Sequence, residues 1–216
     1  MAKSVPTTLV IACGAIAHEV TAVLRQGVLE HVTVTCLPPE LHNRPERITD
    51  AVAAKLADMA TSFDRVFVAY ADCGTGGQLD TLLDAYGIER IPGAHCYEFF
   101  AGPNLYAQLS DAEPGTFYVT DFLARNFQRL IVEGLGMAKH PELRDMYFGN
   151  YSKLVYLQQR VDSDAEPAAQ SAADWLNLKY EKYTTGYGQL EVSLRHLESD
   201  RLKLPSNVKV LNERWA

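Results

Sequence analysis

Short β-branched apolar runs alternate with amphipathic stretches of helical length through the first half of this chain, and that alternation most narrows what it can fold into. Thr8–Ala12 (TLVIA), His31–Thr35 (HVTVT) and Arg65–Ala71 (RVFVAYA) have the character of buried parallel strands. Between them, Ala15–Arg25 carries Ile16, Val20 and Leu24 on one helical face, and Pro45–Thr61 carries Ile48, Val52, Leu56 and Met59. Pro45 suits a first helical turn, while Gly27 and Gly87 suit positions just past helix ends. A further helix over residues 78–86 leads to a weaker strand around Ile91–Cys96. The pattern predicts an α/β fold: an open, mostly parallel, doubly wound sheet with helices on both faces.

The second half is less regular. Thr116–Asp121 and Lys153–Leu157 read as strands, Phe122–Met137 and Pro141–Tyr147 as helices, and Asp162–Glu166 as a solvated turn ending at Pro167. A helix is predicted through Ala168–Lys182, with Tyr and Trp on its later turns. With 216 residues, one α/β domain is expected over 1–216. Residues 7–121 would form its core βαβ units, and 122–216 a helical elaboration with a late strand. A shift of 60 residues lays Cys13-Gly14 on Cys73-Gly74, Gly27 on Gly87 and Cys36 on Cys96, as two pseudo-repeated βαβ halves would.

Composition closes off several classes. Hydrophobic residues make up 47% of the chain and charged residues 22%, which excludes an intrinsically disordered protein. The net charge of −7 argues against a nucleic-acid partner, whose phosphates need a clustered basic surface. No apolar run approaches the ~20 residues of a membrane span. The N-terminus enters the first strand at once, so no signal peptide is expected and a cytoplasmic location is. Four cysteines in such a setting read first as thiols or metal ligands rather than disulfides.

Cys13, Cys36, Cys73 and Cys96 each fall at the carboxyl end of a predicted strand, the edge where open α/β sheets bind ligands. There is no Cys-x-x-Cys, so metal ligands would have to converge through the fold. His95, Cys96 and Glu98 offer nitrogen, sulfur and oxygen donors within four residues, with Cys96 and Glu98 on one side of an extended segment and His95 on the other. Thiolates with imidazole favour zinc, or iron in a cluster. Two alternatives stand beside the metal: His95 activating a neighbouring thiol as a nucleophile, and cysteines that only pack.

Asp72-Cys73-Gly74-Thr75-Gly76-Gly77 follows a strong strand and opens a helix, and it looks like the glycine-rich first motif of S-adenosylmethionine-dependent methyltransferases. Gly74, Thr75, Gly76 and Gly77 would then cradle an anion or cofactor; otherwise the loop is a tight turn. No Walker A, G-x-G-x-x-G or G-x-S-x-G sequence is present. Arg44 or Arg47 can grip a carboxylate or phosphate, unless His42 and Asn43 cap the helix that Pro45 begins. Tyr180, Tyr183 and Tyr187, with Gly186 and Gly188, suit a lid or a homodimer face.

Taken together, Ala12-Cys13-Gly14, Leu41-His42-Asn43, Asp72-Cys73-Gly74 and His95-Cys96-Tyr97-Glu98 resemble the "domain of unknown function 1638" family over roughly residues 7 to 190. Cys36 is outside that pattern, which implies a packing role for it. The resemblance leaves Cys13, Cys73 and Cys96 as the metal ligand set. His42, His95 and Glu98 become candidates for a fourth position and for catalytic work. Members of the family are often encoded near corrinoid-dependent methyltransferases, which implies one-carbon or methylamine metabolism. The chain lacks the D-x-H-x-x-G motif of corrinoid carriers. The expectation is therefore a zinc-dependent, or iron or iron-sulfur, methyl-transfer protein activating a small thiol substrate. The alternatives are a non-catalytic metal or cofactor-binding accessory of a corrinoid methyltransferase system and an S-adenosylmethionine enzyme.

Overall fold

Nine α-helices and seven strands are found among the described residues of the computed structural model, which are 6–27, 31–161 and 164–199. In chain order they are β1 (Thr8–Cys13), α1 (Ala17–Gln26), β2 (Val32–Leu37), α2 (Ile48–Met59), β3 (Arg65–Ala69), α3 (Gln78–Tyr86) and β4 (Glu89–Arg90). There follow α4 (Cys96–Ala101), α5 (Pro103–Ala112), β5 (Thr116–Thr120), α6 (Asp121–Arg125), α7 (Leu143–Phe148), β6 (Lys153–Gln158), α8 (Ala165–Leu176), β7 (Lys179–Thr184) and α9 (Gly188–Ser199). The fold is α/β with two open parallel sheets. The chain divides into two compact units, residues 1–96 with 189–216, and residues 97–188.

The first unit holds a four-stranded sheet in the order β2-β1-β3-β4, all parallel. β1 lies inside it, and Leu9, Val10, Ile11 and Ala12 have no exposed surface, as an apolar run covered on both faces should. One face carries a core of Leu9, Ile11, Leu37, Val52, Leu56, Val68, Tyr70 and Leu79. The expected strand at Ile91–Cys96 is not formed. β4 has two residues, and Cys96 instead begins a helix. Pro92 lacks an amide hydrogen for a ladder, and Gly93 has φ of +112°, so the strand cannot continue.

The second unit holds β5-β6-β7, again parallel. Here β7 corrects the helix expected through Ala168–Lys182. Asn177 adopts a left-handed conformation (φ +58°) directly after α8, which ends the helix. The KYEKYT segment then pairs with β6 from Lys179 to Thr184. α8 also begins at Ala165, with Pro167 in the first turn, where no intrahelical donor is needed. Of the turn read at Asp162–Glu166, residues 162 and 163 lie outside the described residues, as do residues 1–5 of the N-terminus. The helix expected at Phe122–Met137 is broken into α6 and a π-helical turn, Gln128–Glu133.

Asp121, with no exposed surface, ties the carboxyl ends of β5 and β6 together. Its carboxylate accepts from Tyr156 Oη (2.8 Å) and from the amides of Gln159 (3.0 Å) and Arg160 (3.0 Å). A buried carboxylate requires such saturation. Among the described residues no helix is long and apolar enough to cross a membrane.

Candidate functional site

From β1 the chain passes to β2 on one side and then to β3 on the other, so the order 2-1-3-4 reverses between β1 and β3. The carboxyl ends of those two strands flank the crevice where open α/β sheets take ligands. Register decides which side chains meet there. Ala12 pairs with Ala69, which sets Cys13 beside Tyr70 one residue further along. Alternation places Ile11, Cys13, Val68 and Tyr70 on the face that carries the unit's core, and Cys13, Cys73 and Tyr70 pack on the same apolar cluster.

Each of the two sulfurs is met by donors. The Ala15 amide is directed at Cys13, and the Cys96 and Ala71 amides at Cys73. Burial nevertheless dominates. It raises the Cys13 thiol above its ordinary value, with Cys36 and the Glu40 carboxylate nearby adding to the rise. Burial also pushes Cys73 up to about 12, helped by the proximity of Cys13 and Asp72. Both are protonated thiols at neutral pH, since burial outweighs the nearby donors. Cys73 is also a non-glycine residue with φ of +51°, a conformation that costs of order 1–3 kcal/mol and tends to mark functional positions.

Tyr70 completes the group. It is 2% exposed, and its hydroxyl is buried without a hydrogen-bond partner. It lies beside the Cys13 thiol and within electrostatic range of Cys73 and Cys36. Burial first, and then these sulfurs, raise its pKa, so it stays a phenol.

The glycine loop is built differently from the expected cradle. Asp72 turns its own carboxylate into it, accepting from the amides of Gly74 (3.2 Å), Gly76 (3.2 Å) and Gly77 (2.9 Å) and from Thr75 Oγ1 (2.6 Å). The donors that Gly74, Thr75, Gly76 and Gly77 would offer an anion are spent on this internal one, which sits at the N-terminus of α3. Gly74 has φ of +87°, and a Cβ there would stand 3.2 Å from Pro45 Cβ, so the loop lies against the start of the Pro45 turn.

The remaining candidates are spread around this centre. Asp72 and Cys73 donate amide hydrogens to the carbonyls of Gly93 (3.1 Å) and Ala94 (2.7 Å), which brings His95 and Cys96 to the crevice. Cys96 meets Cys73 through its backbone. Since Cys96 begins α4, Cys96 and Glu98 diverge around a helix instead of sharing one side of a strand, and Glu98 belongs to the second unit. His42 lies on a 3-10 turn, Pro39–Asn43, within electrostatic range of His95. Its pKa is lowered by loss of water and then by that neighbour. Arg44 and Arg47 are exposed, and no side chain caps the turn that begins at Pro45 or the helix α2 after it. Cys36 sits opposite Ala12, one residue out of step with Cys13, on the other face of the edge strand β2, and is exposed rather than packed. Tyr180 and Tyr183 are strand residues of the second unit, packed on its two apolar clusters.

Among the described residues no group of three or more His, Cys, Asp or Glu side chains is arranged to hold a metal ion. What the fold brings together is the pair Cys13 and Cys73, with Tyr70. Sequence reading passed over Tyr70 and the internal role of Asp72. The signals were a phenol closing an otherwise apolar strand, and an aspartate placed before Cys-Gly-Thr-Gly-Gly, where an Asx-type turn forms.

A family model described as "Protein of unknown function (DUF1638)" matches residues 36–194, well over half the chain. The match takes in Cys73 and Cys96 and begins beyond Cys13. No curated protein and no solved structure matches the chain.

Proposed function

The chain belongs to the DUF1638 family, and on that footing we propose that its first unit binds a thiophilic metal ion, zinc or iron, through Cys13 and Cys73, in the service of methyl transfer to a thiol. One observation carries the reading: two half-buried thiols, Cys13 and Cys73, pack on one apolar cluster at the switch point of the sheet, with the Ala15 amide beside the first and the Cys96 and Ala71 amides beside the second. A bound cation replaces both thiol protons, so uptake releases protons to solvent and tightens as pH rises. Glu40 adds to the preference for a cationic guest.

Two protein sulfurs would leave room for a substrate thiol at such an ion. The ion would supply Lewis acidity, so that a substrate thiol there gives up its proton more readily and its sulfur serves as the nucleophile. The S–CH₃ bond would form as the bond from methyl to its donor breaks, with the electron pair left on the donor. A methylated corrinoid is the donor class that the family resemblance implies. In this chain Cys13 and Cys73 would hold the ion, the Ala15, Ala71 and Cys96 amides would steady their sulfurs, and the Asp72-closed loop fixes Cys73.

The test is metal content by elemental mass spectrometry on protein purified without oxygen, before and after reconstitution with zinc or ferrous iron. About one metal per chain is expected. Cys13→Ser and Cys73→Ser should each lose it with an unchanged circular dichroism spectrum. Cys36→Ser, on the opposite face, should retain it, and so should Cys96→Ser, whose contact with Cys73 is main-chain. Full occupancy in both Cys13 and Cys73 variants, or no metal in reconstituted protein, defeats the proposal. Methylcobalamin with a small thiol, followed by loss of the cobalt–carbon absorbance, reads the transfer step. A metal-loaded protein that does not turn over shifts the role to delivery of metal or cofactor to a partner methyltransferase.

A further inference from the structure

A strand at the edge of a sheet offers unpaired N–H and C=O groups to any chain able to pair with them, and folded proteins blunt such edges with charge, proline, shortness or cover. The two sheets have four edges, and three of them are blunted. β4 has two residues, both charged. β7 carries Lys179, Glu181 and Lys182. β5 is covered, with four of its five residues buried. β2 is the exception. Its sequence, Val-Thr-Val-Thr-Cys-Leu, is uncharged and rich in β-branched side chains, and only Leu37 in it is buried. Among the described residues no strand lies on its outer side.

The ladder fixes which groups face outward. Thr8 donates its amide hydrogen to the His31 carbonyl (3.0 Å), and parallel pairing alternates from there. The backbone groups of Thr33, Thr35 and Leu37 therefore turn toward β1, and those of Val32, Val34 and Cys36 turn away from the sheet. From this edge, and independently of any metal, we infer that β2 is a homodimer interface. Two copies pair antiparallel about a two-fold axis at Val34, which joins their four-stranded sheets into one. In this register Val34 stands opposite the partner's Val34 and Val32 opposite the partner's Cys36, and each such pair exchanges two N–H···O=C bonds. Thr33 meets the partner's Thr35, a favourable cross-strand pair. Moving the axis to Cys36 would set Val34 against the partner's Pro38, which has no N–H to give. The occupant is a second copy because the strand is its own complement. A chain of net charge −7 repels its copies, so self-association needs a stretch where no charge meets its own image, and β2 supplies one.

The experiment is sedimentation velocity on the full chain, diluted from ~100 µM, with wild type, Val34→Lys, Val34→Glu and an equal mixture of the two variants. Wild type is expected at twice the 24.0 kDa of the chain at the upper end of the series. The axis makes residue 34 its own neighbour, so each variant alone sets like charges face to face and should weaken association about tenfold or more. The mixture should restore a dimer, which a folding defect could not do. Val32→Cys reads the register. Treated with oxidised glutathione, its new thiol and the partner's Cys36 each give up a hydrogen to the oxidant and form an intermolecular disulfide, identified by peptide mass spectrometry. Wild type should form none through Cys36, whose two copies stand about 14 Å apart along the strands, beyond disulfide reach. A wild type that stays monomeric, variants that dimerise as tightly as wild type, a mixture that stays monomeric, or a wild-type Cys36 disulfide would each overturn the assignment.

Discussion

At the scale of single residues, the first unit shows side chains held in costly states, and each cost is measurable. Removing the unpartnered Tyr70 hydroxyl should stabilise the metal-free chain by about 1–2 kcal/mol, read from chemical denaturation, because an unsatisfied buried polar group carries a penalty of that order. Asp72 is the opposite case. Burial alone would raise its carboxyl, but hydrogen bonds from Thr75, Gly77, Gly76 and Gly74 outweigh burial and hold it below its ordinary value of 3.8. A lowered folded-state pKa means stability that is present above pH ~4 and lost as the pH falls through the folded value. Asp72→Asn should therefore cost about 1–3 kcal/mol at pH 7 and flatten the acid limb of a melting-temperature profile between pH 6 and pH 2. An unchanged limb would show that the loop is held by its backbone alone. Neither role could be read from residue type. The thiols could be located on the sheet edge from strand ends alone, whereas the state of Tyr70 depends on neighbours that only the folded chain assembles.

At the scale of elements, the strongly periodic segments were legible. β1, β2, β3, α3, β5 and β6 fall within one or two residues of their expected positions, because buried central strands and an amphipathic helix announce themselves by pattern. The failures share a cause. β4 and β7 lie at sheet edges, where burial on one side leaves a weak signal, and in β7 a lysine- and tyrosine-rich alternation reads as a helix until Asn177 interrupts it. The left-handed turn at Asn177 is thus what separates α8 from β7. Asn177→Val should destabilise the second unit by roughly 1–2 kcal/mol or more, since a β-branched residue pays most for that conformation, while Asn177→Gly should be near neutral. Equal melting temperatures for the two variants would count against this account. The same limits apply to the site: Cys96 and Glu98 fall on a helix rather than the expected strand, Cys13 ends β1 as expected, and Cys73 lies in the turn four residues beyond β3.

At the scale of the whole molecule, the chain contains two compact units, each with its own parallel sheet and its own apolar clusters. The second, residues 97–188, carries the Asp121 network inside itself. Expressed alone, it should give an α/β circular dichroism spectrum and a cooperative thermal transition, and a non-cooperative melt would show that it cannot sustain its own core. The proposed chemistry needs only the first unit, where the pairing of β1 with β3 decides it. Of the four cysteines, Cys13 and Cys36 stand on paired strands, and which face of the sheet each takes depends on whether it stands an odd or an even number of steps along its strand. Inserting one alanine after Leu9 would leave every cysteine in the chain while turning Cys13 to the far side of the sheet, toward Cys36. The place of Cys13 is therefore held in parity, and a change that no inventory of residues would register is enough to erase it.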